Sequence, residues 1–246
     1  MLNYRIVWHD KVTSTNDVCV KAAVEGELEG LVIAAYFQEH GRGQRGNSWE
    51  SEVNKNLTFS LLLRPAFLKV EQQFMLSKII ALGVIDWLKS ITLDATIKWP
   101  NDIYVIDCKI AGILIENGFS SNVLDYSVAG IGVNLNQTAF SSDIPNPTSV
   151  LLATGVKYVA ELVIVDLLEF INVRYQQLID GLTSVISDDY LNRLYRRNNY
   201  YQYIDKNEKF EARIVGVKPG GELMLETKGG TIKSYGFKEV SFVMKT

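Results

Sequence analysis

The residues with the clearest chemical capacity form a glycine-rich loop at positions 38–49. Gly41, Gly43 and Gly46 stand within six positions, so the backbone can reach positive φ and approach a ligand closely. Arg42 and Arg45 lie between them and offer planar donors for carboxylate or phosphate oxygens. The preceding apolar run at 31–37 is typical of a buried strand, so we predict an anion-binding loop that leaves a strand.

The glycine spacing of this loop also resembles two phosphate-binding motifs. It fits the dinucleotide fingerprint, and positions 41–48 are one lysine short of a P-loop. Both motifs require the loop to open a helix whose N-terminus holds the phosphates. Here a polar, aperiodic segment leads into an apolar run at 57–63, and no acidic residue ends a strand about 20 positions later. The context disfavours both motifs and leaves open a solvated loop anchored by Trp49.

A second polar group, Lys98, Asn101 and Asp102, surrounds Pro100 at a predicted strand end. Proline cannot donate to a strand ladder, and Asn-Asp is typical of a turn. A turn alone does not account for a lysine in an otherwise apolar strand. The sequence therefore allows two interpretations here, a plain turn or a ligand pocket at the end of the sheet.

Three further positions stand at strand ends or in strands. Lys109 begins an almost wholly apolar run, and Gly112 removes a side chain where another group can approach the sheet. Asn134 ends a run in which glycines alternate with apolar residues, and it is either a ligand contact or a turn residue.

The start of the first predicted helix carries both a capping signal and candidate pocket residues. Ser14 and Asp17 have capping-box-like spacing. Thr15 and Asn16 place a hydroxyl and an amide beside them, where both can face a pocket. The two interpretations are compatible.

Composition and charge limit the classes of partner. The chain has 246 residues, 47% hydrophobic and 22% charged, with a formal net charge of −3, so bulk electrostatics predict neither a nucleic-acid nor a membrane partner. The two cysteines and two histidines lack metal or redox spacing. The start of the chain does not have the form of a signal peptide, and no apolar run reaches membrane length. We expect a cytoplasmic protein.

The pattern along the chain predicts two units, a catalytic domain at 1–200 and a small domain at 201–246. A long amphipathic helix is predicted at 71–90, with further helices from 148, at 157–180 and at 187–197. After residue 200, four short strands (210–215, 222–226, 231–234 and 239–243) with glycine turns describe a small SH3-like barrel.

With these motifs in place, the chain resembles the biotin–protein ligase family along nearly its full length. The matching motifs, in order, are Ser14-Thr15-Asn16; Gln38 with Gly41-Arg42-Gly43-x-x-Gly46 and Trp49; Lys98-Trp99-Pro100-Asn101-Asp102; Lys109-x-Ala111-Gly112-Ile-Leu-Ile-Glu116; and Gly130-x-Gly132-Val-Asn134-Leu135. The resemblance implies an α+β fold with a mixed β-sheet flanked by helices and a small C-terminal SH3-like barrel. Because the chain starts directly at the catalytic motifs, we expect the ligase-only kind, without an N-terminal DNA-binding domain.

The resemblance also implies a two-step reaction and a set of site residues. Biotin and ATP form biotinyl-5′-adenylate, and the biotinyl group then passes to one lysine of the biotin carboxyl carrier domain of a carboxylase. The implied biotin-binding residues are Ser14, Thr15, Asn16, Gln38, Gly41, Arg42, Gly43, Gln44, Lys109 and Gly112. The implied ATP-binding residues are Arg45, Trp49, Lys98, Asn101, Asp102 and Asn134. The implied catalytic residues are Arg42, Lys109 and Asp102.

The residue types suit that chemistry. A carboxylate and a triphosphate must meet, so fixed cations and Mg²⁺ have to offset their repulsion. The sequence does not identify the metal ligands. The substrate carboxylate is itself the nucleophile, so no reactive serine or cysteine is required. The glycine loop is expected to order over the adenylate and exclude water. Asp102 is our hypothesis for the group that guides or deprotonates the acceptor lysine.

One departure from the family pattern concerns the loop. Many members have arginine where this chain has Gln44, and often again at Asn47, so we predict a leakier adenylate or compensation by Arg45. Lipoate or octanoate attachment and a non-enzymatic biotin-responsive module remain as alternatives. Neither the identity of the carrier domain nor the presence of a homodimer can be decided from the sequence.

Overall fold

A seven-stranded mixed sheet forms the centre of the computed structural model, which describes residues 2–120, 123–142, 144–206 and 208–244. Its strands are β1 (Arg5–His9), β2 (Leu31–Ala35), β3 (Leu57–Leu63), β4 (Thr96–Lys98), β5 (Asp102–Val105), β6 (Cys108–Ser120) and β7 (Val123–Val133). The spatial order is β1-β2-β3-β7-β6-β5-β4. β1 and β2 run parallel, and the other neighbours run antiparallel.

Helices cover both faces of this sheet because its central strands are apolar on both sides. They are α1 (Thr15–Val24), α2 (Phe74–Ser90), α3 (Val150–Thr154), α4 (Ala160–Ile179) and α5 (Thr183–Asn192). α1 packs on the face that carries Leu62 and Val128. α2 packs on the opposite face, which carries Phe59 and Ile131, and α4 packs on α2. Burying each of these aliphatic side chains contributes about 1.5–3 kcal/mol to folding.

The predicted helices exist, with shifted ends. The helix predicted at 71–90 begins at Phe74, because Val70–Gln72 form a separate 3₁₀ turn. The helix predicted at 187–197 is wrong in its limits: α5 begins earlier, at Thr183, and ends at Asn192. Within the described part of the chain, no helix combines the length and apolar character needed to cross a membrane.

A second, five-stranded antiparallel sheet follows residue 200. It consists of β8 (Tyr201–Asp205), β9 (Glu208–Val217), β10 (Leu223–Thr227), β11 (Ile232–Tyr235) and β12 (Val240–Phe242), in the order β11-β10-β9-β8-β12. β8 is a further strand that its sequence does not predict, because only Tyr203 in it is fully buried. Among the described residues no ladder joins β11 to β12, so the predicted small β-unit is present as a sheet with two ends, without ring closure.

Trp99 and Phe237 connect the small sheet to the rest of the protein. Trp99 Nε1 donates to the carbonyl oxygen of Gly221 at 2.8 Å. The ring of Phe237 lies 5.4 Å from that of Trp99 and 6.0 Å from that of Phe74. These contacts bring β12 against the end of the large sheet where β4 and β5 meet.

Candidate active site

Cross-strand pairing builds the floor of a cavity of about 590 Å³. One row of paired residues crosses five neighbouring strands: Lys98, Asp102, Gly112, Gly132 and Thr58. Directly paired residues project from the same face of a sheet, so a lysine and a carboxylate stand beside a strip of bare backbone. The glycines are therefore needed for the shape of the cavity.

The indole of Trp49 lies on this bare strip. A Cβ at Gly132 would overlap the indole ring, and one at Gly112 would lie 3.0 Å from Trp49 Cζ3. Lys109 Nζ lies 5.7 Å from the centre of the indole, within cation–π range. Trp49 Nε1 is buried and has no hydrogen-bond partner among the described residues, so it can serve a ligand.

Four basic side chains line the same cavity: Arg42, Lys98, Lys109 and Lys238. Lys109 Nζ pairs with Asp102 Oδ1 at 2.7 Å. The loop arginine and the two strand-end lysines therefore share one pocket.

Lys98 is held from several sides. Its Nζ donates to the Tyr104 hydroxyl at 3.0 Å and lies 4.8 Å from the centre of that ring. The ring of Phe242, on β12, lies 5.8 Å away. Burial lowers the pKa of Lys98, and the carboxylate of Asp102 opposes that shift. The environment thus favours the ammonium when an additional anion is present.

The glycine loop folds back on itself without opening an α-helix. Trp49 N donates to Gly41 O at 2.8 Å, and Gly43 N donates to Asn47 O at 2.7 Å. The turn between them is a three-residue 3₁₀ segment, Gln44–Gly46. This geometry agrees with the sequence context, which disfavours the dinucleotide and P-loop motifs because both need a helix N-terminus.

The N-terminus of α1 forms the other end of the cavity. Thr15 N donates to Gln38 Oε1 at 2.8 Å, which ties the helix to the segment that follows β2. Ser14 occupies the N-cap position with an extended backbone, but its side chain makes no capping hydrogen bond. The capping-box interpretation is therefore wrong for Ser14, and its buried hydroxyl also lines the cavity.

Most of the residues expected to form the site meet in this cavity. The lining includes Ser14, Thr15, Asn16, Gln38, Arg42, Gly43, Gln44, Trp49, Lys98, Asn101, Asp102, Lys109 and Gly112.

Two expected site residues are placed differently, and the side chain of a third is not described. Gly41 lines a neighbouring cavity of about 760 Å³ on the glycine loop. Asn134 is outside the described lining, and its Nδ2 donates to Thr148 O at 2.9 Å. Its ATP-binding role stays a prediction. The side chain of Arg45 lies outside the described part of the structure.

The cavity also contains residues that sequence reasoning missed. Val240, Ser241 and Phe242 line it from β12, and Lys238 lines it from the connection before that strand. No local signal marks them, because their role depends on how the two sheets pack. Gly130 and Gly132 also line it, and the alternation of glycine with apolar residues in β7 was a usable signal for both.

Comparisons with known proteins give a consistent result. Residues 8–134 match the model of the Biotin/lipoate A/B protein ligase family. The Bifunctional ligase/repressor BirA of Bacillus subtilis is 27% identical over 244 residues, which cover 96% of this chain and 73% of that protein. The Biotin--[acetyl-CoA-carboxylase] ligase of Mycobacterium tuberculosis is 31% identical over 143 residues, 56% of this chain and 52% of that one.

A solved structure gives the same answer for the fold. The biotin protein ligase from Aquifex aeolicus in complex with biotin and ATP superposes with a TM-score of 0.80 at 25% identity, covering 98% of this chain and 99% of that one.

Proposed function

Because the chain belongs to the Biotin/lipoate A/B protein ligase family, we propose that it is a biotin–protein ligase. It forms biotinyl-5′-adenylate from biotin and ATP with release of pyrophosphate, and it transfers the biotinyl group to a lysine of a biotin carboxyl carrier domain. The single observation that carries this proposal is the convergence of Arg42, Lys98 and Lys109 on one cavity with a bare glycine floor.

The first step requires a carboxylate to attack the α-phosphate, so two anions must come together. Lys109 is the proposed contact to both, since it already faces a carboxylate oxygen of Asp102 at 2.7 Å. Arg42 is proposed to hold the biotin carboxylate and Lys98 the triphosphate. Cations that are already fixed in the cavity stabilise the developing charge without reorganising during the reaction.

The vitamin and the nucleotide are assigned to opposite ends of the cavity. Ser14, Thr15 and Gln38 present hydroxyl and amide groups at the α1 end, which suits the polar ring of biotin. Trp49 and Lys98 flank the other end, where an indole face suits a purine and an ammonium suits a phosphate.

Mg²⁺ is proposed to enter with ATP. The described residues contain no cluster of three or more His, Cys, Asp or Glu side chains that could hold a metal ion. Mg²⁺ is commonly bound through one or two carboxylates together with substrate phosphates, and Asp102 supplies such a carboxylate in the cavity. When bound, the ion supplies charge neutralisation at the phosphates.

In the second step the acceptor lysine must arrive as a neutral amine, and we assign its guidance to Asp102. Replacing Asp102 with Asn should slow transfer from preformed adenylate to the carrier domain by at least about tenfold, since it removes a carboxylate that lines the cavity. Single-turnover transfer measures this directly. An unchanged transfer rate in Asp102→Asn removes the role.

The neutral residues at 44 and 47 are proposed to loosen the hold on the adenylate. Gln44→Arg should slow the release of labelled adenylate in a chase, since a guanidinium adds a charge-assisted contact to an anion. If the adenylate is already released slowly from both the wild type and Arg45→Ala, neither the leaky intermediate nor the compensation by Arg45 is correct.

One experiment tests the proposed function. The full chain is mixed with ATP and Mg²⁺ and with biotin or lipoate, and pyrophosphate is measured, followed by transfer to a purified carrier domain. Biotin-dependent release with transfer supports the ligase. Pyrophosphate release that depends on lipoate instead would indicate a lipoate ligase of the same family. If neither acid causes pyrophosphate release, the chain is a binding module.

A further inference from the structure

Glu116 joins two parts of the site through a single oxygen atom. It lies on β6 two residues beyond Leu114 and therefore on the same face of the sheet as the cavity floor. Its Oε2 accepts hydrogen bonds from Asn16 Nδ2 and from Arg42 Nη2, each at 2.7 Å. None of the roles assigned above uses this carboxylate, although it connects helix α1 to the glycine loop.

The Asn16 amide that holds Glu116 is fixed at both ends. Asn16 Oδ1 has no hydrogen, so Ser60 Oγ donates to it, at 2.5 Å. Asn16 Nδ2 also lies 3.4 Å from Leu114 O. Ser60 is fully buried, and a Cβ at Gly130 would overlap Asn16 Oδ1. The amide cannot turn without breaking contacts on both sides, so the position of Glu116 is set by the floor of the cavity.

Arg42 has a second carboxylate partner at the same distance, which makes an internal comparison available. Asp17 Oδ1 lies 2.7 Å from the same nitrogen, Arg42 Nη2. The Asp17 side chain is 50% exposed, whereas that of Glu116 is 31% exposed and is tied to Asn16. Exposed ion pairs contribute little because solvent screens them and the side chains lose entropy. Of the two carboxylates, Glu116 is the one with a defined position.

We propose that Glu116 is a positioning residue that holds Arg42, and with it the glycine loop, at the biotin end of the cavity. Asn16 then acts mainly through Glu116, since both of its Nδ2 hydrogens face protein acceptors. The link to biotin rests on the proposed function, whereas the link to the loop rests on the contacts alone.

The loop itself gives the first test, which needs no ligand. Amide hydrogen exchange over 41–49 is measured by mass spectrometry in the full chain and in Glu116→Gln and Asp17→Asn. Glutamine keeps the size of the side chain but loses the charge, so exchange should be faster by about tenfold. Asp17→Asn removes the same charge from the exposed partner and should change exchange by less than about threefold.

Steady-state kinetics give the second test. Glu116→Gln should raise KM for biotin by about tenfold with KM for ATP changed by less than about twofold, because Arg42 is assigned to biotin. Asp17→Asn should leave both nearly unchanged. Equal effects of the two variants on exchange and on KM, or no effect of Glu116→Gln, would overturn the proposal.

Two controls keep the outcomes separate. If Glu116→Gln does not fold by circular dichroism, Ser60→Ala replaces it in the exchange test, since that variant frees Asn16 and should speed exchange over 41–49; unchanged exchange overturns the proposal. KM is not compared for this variant, because Ser60 Oγ also lies 2.8 Å from Thr15 Oγ1. If the wild type releases no pyrophosphate with biotin, the proposed function fails, and the exchange comparison still decides the role of Glu116.

Discussion

At the scale of single residues, the site depends on side chains whose chemistry is set by immediate neighbours. Lys98 illustrates this, because its ammonium is desolvated yet fixed by the Tyr104 hydroxyl and by two aromatic faces. A lysine on its flexible stem loses rotamer entropy when it binds phosphate, and a preformed contact reduces that loss. Tyr104 is thus expected to matter for ATP although it is absent from the described cavity lining.

Tyr104→Phe should raise KM for ATP by about three- to tenfold, because it removes one hydrogen bond to an ammonium and keeps the ring. KM for biotin should remain unchanged. Initial rates at varied ATP provide the measurement. Tyr195→Phe is the matched control, since its hydroxyl bonds Asp107 and its loss leaves the Lys98 contact intact. Equal changes in both variants would contradict this assignment.

Cys19 predicts a pH dependence of stability that is separate from the site. It is fully buried on α1, and burial raises the pKa of its thiol to about 12 from 9.0. Below pH 9 the thiol is protonated in both the folded and the unfolded state. Above pH 9 the thiol of the unfolded state loses its proton, which stabilises the unfolded state relative to the folded one. This contribution to folding is therefore lost progressively from pH 9 to about 12.

Urea unfolding of the wild type and of Cys19→Ala at pH 8 and pH 10.5 tests that dependence. The stability advantage of the wild type over the variant should shrink by about 2 kcal/mol between the two pH values. The packing lost in the alanine variant is a constant offset, and the other titrating groups are common to both proteins. A difference that does not change with pH would show that the thiol titrates normally.

At the scale of elements, strand pairing determines which side chains meet. Gly112 and Gly132 lie opposite each other on β6 and β7, and their missing side chains leave room for the Trp49 indole. The strand backbone thereby fixes where the loop can rest.

Gly132→Ala should displace that indole and weaken ATP binding at least tenfold, since a rigid ring next to backbone cannot yield by a few tenths of an ångström. Calorimetric titration with ATP gives the affinity. Gly229→Ala is the control, because the closest atom to a Cβ there is a threonine hydroxyl at 3.9 Å and the backbone is not in the left-handed region. Wild-type affinity in Gly132→Ala would mean that Trp49 is not part of the nucleotide site.

Much of the site could be predicted from local sequence, for physical reasons that also mark the limit. Lys98 and Lys109 are charges in apolar strands, and Arg42 is flanked by glycines, so each is conspicuous without a structure. Phe242 and Ser241 carry no such signal, since they reach the cavity only because Trp99 and Phe237 pack the small sheet there. The capping prediction at Ser14 was wrong because a serine before a helix gives the same sequence pattern whether its hydroxyl caps the helix or lines a pocket.

At the scale of the whole molecule, the cavity lies where the two sheets meet, so its shape depends on how they pack. The large sheet supplies the floor, and β12 supplies one wall. The Trp99–Gly221 hydrogen bond is a buried polar contact between the two parts. The division of the chain into two domains, 1–200 and 201–246, stays a prediction.

Trp99→Phe should lower the free energy of unfolding by about 1–2 kcal/mol, because it leaves the buried Gly221 carbonyl without its donor. It should also raise KM for ATP, because β12 would move relative to Lys98. Trp87→Phe serves as the control: Trp87 is buried in α2 outside the described lining, so its loss should cost stability without changing KM. An unchanged KM in Trp99→Phe would separate the packing of the two sheets from nucleotide binding.

The pairing of β6 with β7 has one more consequence. If β6 slipped along β7 by two residues, the same faces would still point inward, so hydrophobic patterning alone would tolerate the error. Such a slip would bring the side chain of Leu114 or of Ile110 opposite Gly132, where the Trp49 ring now rests. In the misaligned sheet that side chain would occupy the space of the indole, so the ring could not pack there. The glycine loop can therefore pack on the sheet only when β6 and β7 pair in the observed register, so the binding pocket forms only in the correctly folded chain.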